Sequence, residues 1–160
     1  MNLNEVINGG RVDFSGIPQP YFLLGLLSAF DNRFQSVADR AIGEISWKQY
    51  FAVICISMCK EPPTVRELSD ILGSSHQNVK QILLKLEKKG FVAVLPDPRD
   101  KRKQRITLTE SCLDFCEKSS AAGGEIIGRM FGGVSDEQLR TTIETIIKIE
   151  SNLKEAEESL

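Results

Sequence analysis

Residues 74–109 read SSHQNVKQILLKLEKKGFVAVLPDPRDKRKQRITLT and hold two patterns in succession. In the first half Val79, Ile82, Leu83 and Leu86 recur at the period of an amphipathic helix. The spacing predicts a helix from about Ser75 to Lys89, stopped by Gly90 in the position of a C-terminal cap. The second half predicts two strands, Phe91–Leu95 and Arg105–Leu108, with Ile106 and Leu108 facing inward and Arg105 and Thr107 outward. The Asp-Pro and Arg-Asp content between them suits a turn, so the pair reads as a hairpin. Its tip places Arg99, Lys101, Arg102, Lys103 and Arg105 within seven positions.

Upstream, Ser46…Gln49, Thr64…Glu67 and Ser74…Gln77 fit the capping box, a hydroxyl followed three residues later by Glu or Gln; Ser135…Gln138 fits it downstream. They predict helices over about Trp47–Met58, Val65–Leu72 and the quoted stretch, with Pro62-Pro63 and Gly73 as breaks, and a last helix from Ser135 to about Glu157. Longer helices flank this block. One covers about Pro20–Ala41; the other starts at Thr109 with an expected bend at Gly123-Gly124. The first 19 residues, with Gly9-Gly10 and Pro18, read as loosely ordered. The fold class is therefore mainly α with a small β-hairpin wing. Three segments follow: 1–45 with an N-terminal helix, 46–108 as a winged helix-turn-helix, and 109–160 with C-terminal helices.

A short helix, a turn and a longer helix with a polar front half is helix-turn-helix geometry. With Val79, Ile82, Leu83 and Leu86 turned inward, Gln77, Asn78, Lys80 and Gln81 face out near the end that would enter a major groove. Asn and Gln can pair bidentately with adenine, and Lys can meet guanine or phosphate. A solvated polar face is the bland alternative. If Gln77 closes a capping box with Ser74, its amide is bound to the backbone and reads no base. The hairpin shifts the balance toward double-stranded DNA, because arginine at a wing tip can enter the narrow minor groove.

Charge supports the same reading. The chain has 160 residues and a formal net charge of −2, yet from His76 to Arg105 nine Lys/Arg stand against three acids, a local +6 that leaves −8 elsewhere. A basic module on an acidic body points to a polyanion met at one place. The run Tyr21–Phe30 is far shorter than the about 20 apolar residues that span a bilayer, and no basic leader precedes it. The expectation is a cytoplasmic protein with no membrane partner. Cys55/Cys59 and Cys112/Cys116 are each four apart, unlike redox or zinc spacings, and the single histidine, His76, is distant from both pairs in sequence. Neither a metal site nor a cofactor is expected, and the cysteines read as small buried residues.

Residues from about Ser46 to Glu117 resemble the MarR family of winged-helix transcriptional regulators. The matching stretches are Val65–Gly73 (VRELSDILG), Asn78-Val79, Leu86–Gly90 (LEKKG), Asp97–Arg102 (DPRDKR) and Leu108-Thr109. The resemblance implies that Arg102, with Arg99 as competitor, enters the minor groove, flanked by Lys101 and Lys103. It implies that Asp97 and Asp100 brace those arginines, and that Ser75, Gln77, Asn78, Lys80 and Gln81 lie along the major groove. His76 fills a slot where the family often has a basic residue, a candidate phosphate contact. The family's N- and C-terminal helices interlock in a homodimer; here Leu139, Ile143, Ile146 and Leu153 repeat at heptad-like spacing, interrupted by Glu150. A dimer implies a pseudo-palindromic operator, with repression as the default outcome.

Family members commonly sense a small aromatic molecule in a cleft between the dimer helices and the wing domain. Trp47, Tyr50, Phe51 and Phe115 are the candidate lining, although core packing explains the same aromatics and is the preferred reading. Thiol oxidation, the family's other mode, usually uses a cysteine of the first long helix, which this chain lacks between Pro20 and Ala41. Cys112 and Cys116 lie at a helix start, where the dipole could lower a thiol pKa. An enzyme is not expected, since no nucleophile–base pair or phosphate-cradling glycine loop is present. A winged helix that binds protein instead of DNA is the stronger rival.

Overall fold

The computed structural model describes residues 13–159, so residues 1–12 of the N-terminal segment lie outside the described part. Asp13 accepts hydrogen bonds from the backbone N–H and hydroxyl of Ser15, and the Phe14 ring meets Phe22 edge-on at 5.3 Å. Helix α1 (Gln19–Ile42) follows Pro18 and ends at Gly43, matching the expected helix within two residues.

Helix α2 (Trp47–Met58) begins with a complete capping box at Ser46 and Gln49. Helix α3 (Val65–Leu72) begins with another at Thr64 and Glu67, and stops at Gly73 in the left-handed conformation (φ +56°), which a Cβ would disfavour. Helix α4 (His76–Lys88) departs from expectation at its start. Ser75, not Ser74, is its cap, accepting a hydrogen bond from the Asn78 N–H at 3.3 Å, and no capping box forms with Gln77. The reason is the left-handed turn at Gly73. It sends the Ser74 N–H back to the Ser69 carbonyl (3.1 Å) and leaves Ser75 as the extended residue ahead of the helix.

Strands β1 (Val92–Pro96) and β2 (Gln104–Leu108) form the antiparallel wing, in register Val92↔Leu108, Val94↔Ile106 and Pro96↔Gln104. Phe91, expected in the first strand, instead precedes it. Its N–H returns to the Leu86 carbonyl at 2.9 Å and its ring enters the core. Helix α5 (Glu110–Met130) runs without interruption through Gly123-Gly124, where a bend was expected, and α6 (Asp136–Glu157) starts at the capping box of Ser135 and Gln138.

The described residues are mainly helical with one two-stranded wing. The chain divides into two compact units, one ending at Ser120 and the other Ala121–Leu160, a boundary inside the third predicted segment. In the first unit Ala52, Val53 and Ile56 of α2, Leu68 of α3, Val79, Leu83 and Leu86 of α4, and Ile106 of β2 are buried together with Phe91, Cys112 and Phe115. Burying these side chains, at roughly 25 cal/mol per Å², holds α3, α4 and the base of the wing against one shared core. No helix among the described residues is long and apolar enough to cross a membrane.

Candidate nucleic-acid interface

With Val79, Leu83 and Leu86 buried and Ile82 half-buried, the opposite side of α4 exposes Gln77, Gln81, Leu84 and Lys88 in one stripe. Because Gln77 takes no part in a cap, its amide is not held by the Ser46-type or Thr64-type backbone contact that Gln49 and Glu67 make. Asn78 lies off this stripe. Its amide nitrogen donates to the Ser74 hydroxyl at 2.8 Å, so part of its hydrogen-bonding capacity is engaged within the turn. His76 and Lys80 sit at the exposed first turns of α4, on the side toward the wing.

The wing tip is a hydrogen-bonded structure. The Asp97 N–H reaches the Lys103 carbonyl (2.9 Å) and the Lys103 N–H reaches that of Asp100 (2.8 Å). Asp97, only 4 % exposed, accepts the N–H groups of Arg99 (2.7 Å) and Asp100 (3.3 Å) on one carboxylate oxygen. Its other oxygen takes the Arg105 Nε at 2.7 Å. Asp100 accepts both the backbone N–H (3.1 Å) and the Nε (3.2 Å) of Arg102. Arg105, expected to face solvent, is thus drawn inward: it also reaches Glu67 of α3 at 3.1 Å and the Pro62 carbonyl at 3.0 Å. Asp97 holds the Arg99 backbone but pairs with the Arg105 side chain; the Arg99 guanidinium instead stands 3.7 Å from Glu61. Arg102 and Arg99 remain open, with side chains 92 % and 80 % exposed, and Lys101 and Lys103 are exposed beside them.

These charges perturb one another. The Arg105 hydrogen bond, reinforced by the Arg99 N–H, holds the Asp97 carboxyl below its usual range, and Asp97 in turn raises the Arg105 guanidinium. The Thr64 N–H does the same for Glu67, with Arg105 and Lys103 adding to it.

Between α3, the start of α4 and the wing lies an open groove of about 610 Å³. It gathers His76, Lys80, Arg102 and Lys103 from the predicted set, and adds Arg66 and Arg105. Arg99 and Lys101 stand on the wing outside that groove, and Gln77 and Gln81 on the outer helix stripe. Arg66 lies ahead of the basic run that starts at His76, so it is not part of that run's charge signal. Its place on the polar side of VRELSDILG, beside Glu67 and Asp70, was the available signal.

The four candidate pocket aromatics separate. Trp47 and Phe51, stacked at 5.8 Å, line a cleft of about 310 Å³ with Leu72, Ile82 and Asn78. Tyr50 and Phe115 meet edge-on at 6.2 Å, and Phe115 stacks on Phe91 at 5.0 Å, so this second pair belongs to the core. All four cysteines are free, Cys55 and Cys112 buried and Cys59 and Cys116 half-buried. Burial pushes the Cys112 thiol up to about 12, helped by Cys116, which is opposite to the lowering expected from its place at a helix start. Among the described residues no cluster of three His, Cys, Asp or Glu side chains could hold a metal ion.

Residues 45–103 match the MarR family model. An uncharacterized HTH-type transcriptional regulator of Bacillus subtilis, YkoM, is 28% identical over 120 residues, covering 72% of this chain and 78% of that protein. The transcriptional activatory protein BadR of Rhodopseudomonas palustris is 32% identical over 96 residues, covering 57% of this chain and 53% of that one. Among solved structures, a MarR/EmrR family transcriptional regulator from Acinetobacter sp. ADP1 superposes with a TM-score of 0.77 at 20% identity, over 87% of this chain and 99% of that one. With a short helix, a longer helix that turns polar side chains outward and a basic wing in this arrangement, residues 45–103 match the MarR family, and the chain shares the fold of winged-helix regulators solved from that family.

Proposed function

We propose that this chain acts as a homodimeric repressor that reads a pseudo-palindromic operator, with α4 in the major groove and the wing in the minor groove of each half-site. The observation that carries the reading is the groove between α3, α4 and the wing, where Arg66, His76, Lys80, Arg102 and Lys103 converge on a chain that is acidic elsewhere. Phosphate attraction would supply most of the affinity there, and Gln77 and Gln81 on the outward stripe are the side chains suited to base edges. Arg102, open to solvent and oriented by Asp100, is the proposed minor-groove residue.

Exposed apolar residues on α1 (Tyr21, Leu24, Leu27, Phe30) and on α6 (Ile143, Ile147, Leu153) support dimerisation, since a second copy would cover them. Two reader helices would then meet half-sites about one helical turn apart. Repression would follow from a dimer that occludes a promoter. A small aromatic effector is proposed in the cleft of Trp47 and Phe51, because Asn78 lines that cleft while belonging to α4, so a ligand there touches the reader helix directly. Selecting duplexes from a random pool and measuring promoter output with the selected site tests the function. A selected palindromic site that lowers transcription is expected; selection of no sequence, or a rise in output, contradicts it.

A further inference from the structure

We infer that Arg105 is a positioning residue that locks the wing to α3 and so sets the distance between the wing tip and the start of the reader helix. This rests on the DNA reading above, but the lock itself exists without DNA. Of the five cations in the wing segment, Arg105 is the one drawn inward, its side chain 22 % exposed against 92 % for Arg102. Its planar fork meets three acceptors: Nε donates to Asp97 Oδ2 at 2.7 Å, and Nη1 donates to Glu67 Oε2 at 3.1 Å and to the Pro62 carbonyl at 3.0 Å. Asp97 organises the wing tip, Glu67 opens α3, and Pro62 belongs to the turn before it. One guanidinium therefore ties together three segments that sequence separates by up to 43 positions.

The Glu67 end of the lock is shared. The same Oε2 that receives Arg105 also accepts the Thr64 N–H at 2.7 Å, closing the α3 capping box. Beside the guanidinium, the Ile106 N–H donates to the Pro63 carbonyl at 2.9 Å, a backbone link across the same junction. A lysine could keep the charge but not the fork, because one ammonium cannot reach acceptors on both sides of the junction. Arg105 lines the groove that also holds His76 and the cations Arg66, Lys80, Arg102 and Lys103, so the wing angle it fixes decides whether those four charges face one duplex together.

Glu67→Gln separates positioning from direct contact by the sign of its effect, and glutamine still fits the capping box. If Arg105 positions the wing, losing its anionic partner weakens DNA binding, by about three- to tenfold. If Arg105 instead binds phosphate, removing a competing acid tightens binding, and that result overturns the inference. Arg105→Lys should weaken binding as Arg105→Gln does; near wild-type affinity for the lysine variant argues for a simple charge contact and against the lock. In an Arg105→Gln background Arg102→Ala should cost less than about twofold, because the wing is already misplaced, whereas additive losses contradict the inference. Hydrogen exchange on the free protein gives a readout independent of DNA. The Ile106 amide should exchange about tenfold faster in Glu67→Gln and Arg105→Gln, with Leu83 and Leu86 of α4 unchanged. Unchanged Ile106 exchange overturns the lock even if wild type binds no duplex, and equal acceleration everywhere shows general destabilisation instead.

Discussion

Between Ile45 and Phe115 fourteen buried side chains form one continuous cluster, whereas none of the side chains described in residues 121–159 is buried. Yet α6 carries Leu139, Ile143, Ile146, Ile147 and Leu153 along its length, with Ile147 63 % and Leu153 61 % exposed. A single exposed leucine needs no explanation, but a repeated apolar stripe on a 22-residue helix does. The winged module buries a continuous set of apolar residues within its own chain, although Leu84 and Leu95 among others stay exposed; α6 buries none of its own. That difference teaches where stability should depend on protein concentration and where it should not.

The largest expected effect breaks the C-terminal side of this contrast. Ile143→Glu with Ile147→Glu should leave a species of 17.8 kDa by light scattering, against twice that mass for wild type. Operator affinity should fall about a hundredfold or more, since two linked half-site contacts become one. Retention of dimer mass would show that α6 is not the interface.

Next comes the module core. Leu68 is fully buried, and Leu68→Ala should cost about 3 kcal/mol in denaturant unfolding at any protein concentration. A loss that scaled with concentration, as expected for the α6 variant, would erase the distinction between the two regions. At the interface itself, Arg102→Ala should weaken operator binding about tenfold and leave unfolding unchanged, as befits a side chain that is 92 % exposed.

Acid should have a smaller and later effect. The folded pKa of Asp97 lies below its ordinary value, so the stabilisation it brings is complete above about pH 4 and is lost as pH falls through the lowered value. Amide exchange at Arg99, corrected for its intrinsic pH dependence, should therefore be flat from about pH 5 to 8 and rise only below about pH 4. A loosening near neutrality would contradict the carboxylate's role in the tip. Smallest of all, iodoacetamide at neutral pH should leave Cys112 unlabelled in the folded protein, because its thiol, pushed up to about 12, carries almost no thiolate. Rapid labelling of Cys112 would revive thiol sensing.

Local signals in the sequence were enough for most elements. Ser46, Thr64 and Ser135 open helices as their capping boxes require, and the alternation around Ile106 places β2. Two adjacent serines defeated the same rule at α4. Ser74 and Ser75 both precede a suitable donor by three residues, and only the left-handed turn at Gly73 decides between them. The inward role of Arg105 had no local signal at all, because its partner Glu67 lies 38 residues earlier and its alternation in β2 points it away from the core. For Cys112 the helix start and burial argue in opposite directions, and burial wins once Tyr50, Phe91 and Phe115 close around that part of the core. Trp47 and Phe51 could be told from Tyr50 and Phe115 only by which neighbours they face.

The most direct measurement is a salt series of affinity for a duplex selected from a random pool, run on wild type and Arg102→Ala. Binding through the wing and reader helix predicts that log affinity falls steeply and linearly with log salt, with a shallower slope for the variant by about one unit per wing. Salt-independent binding, or an Arg102→Ala line that coincides with wild type, would contradict the grip on DNA on which the proposed function depends.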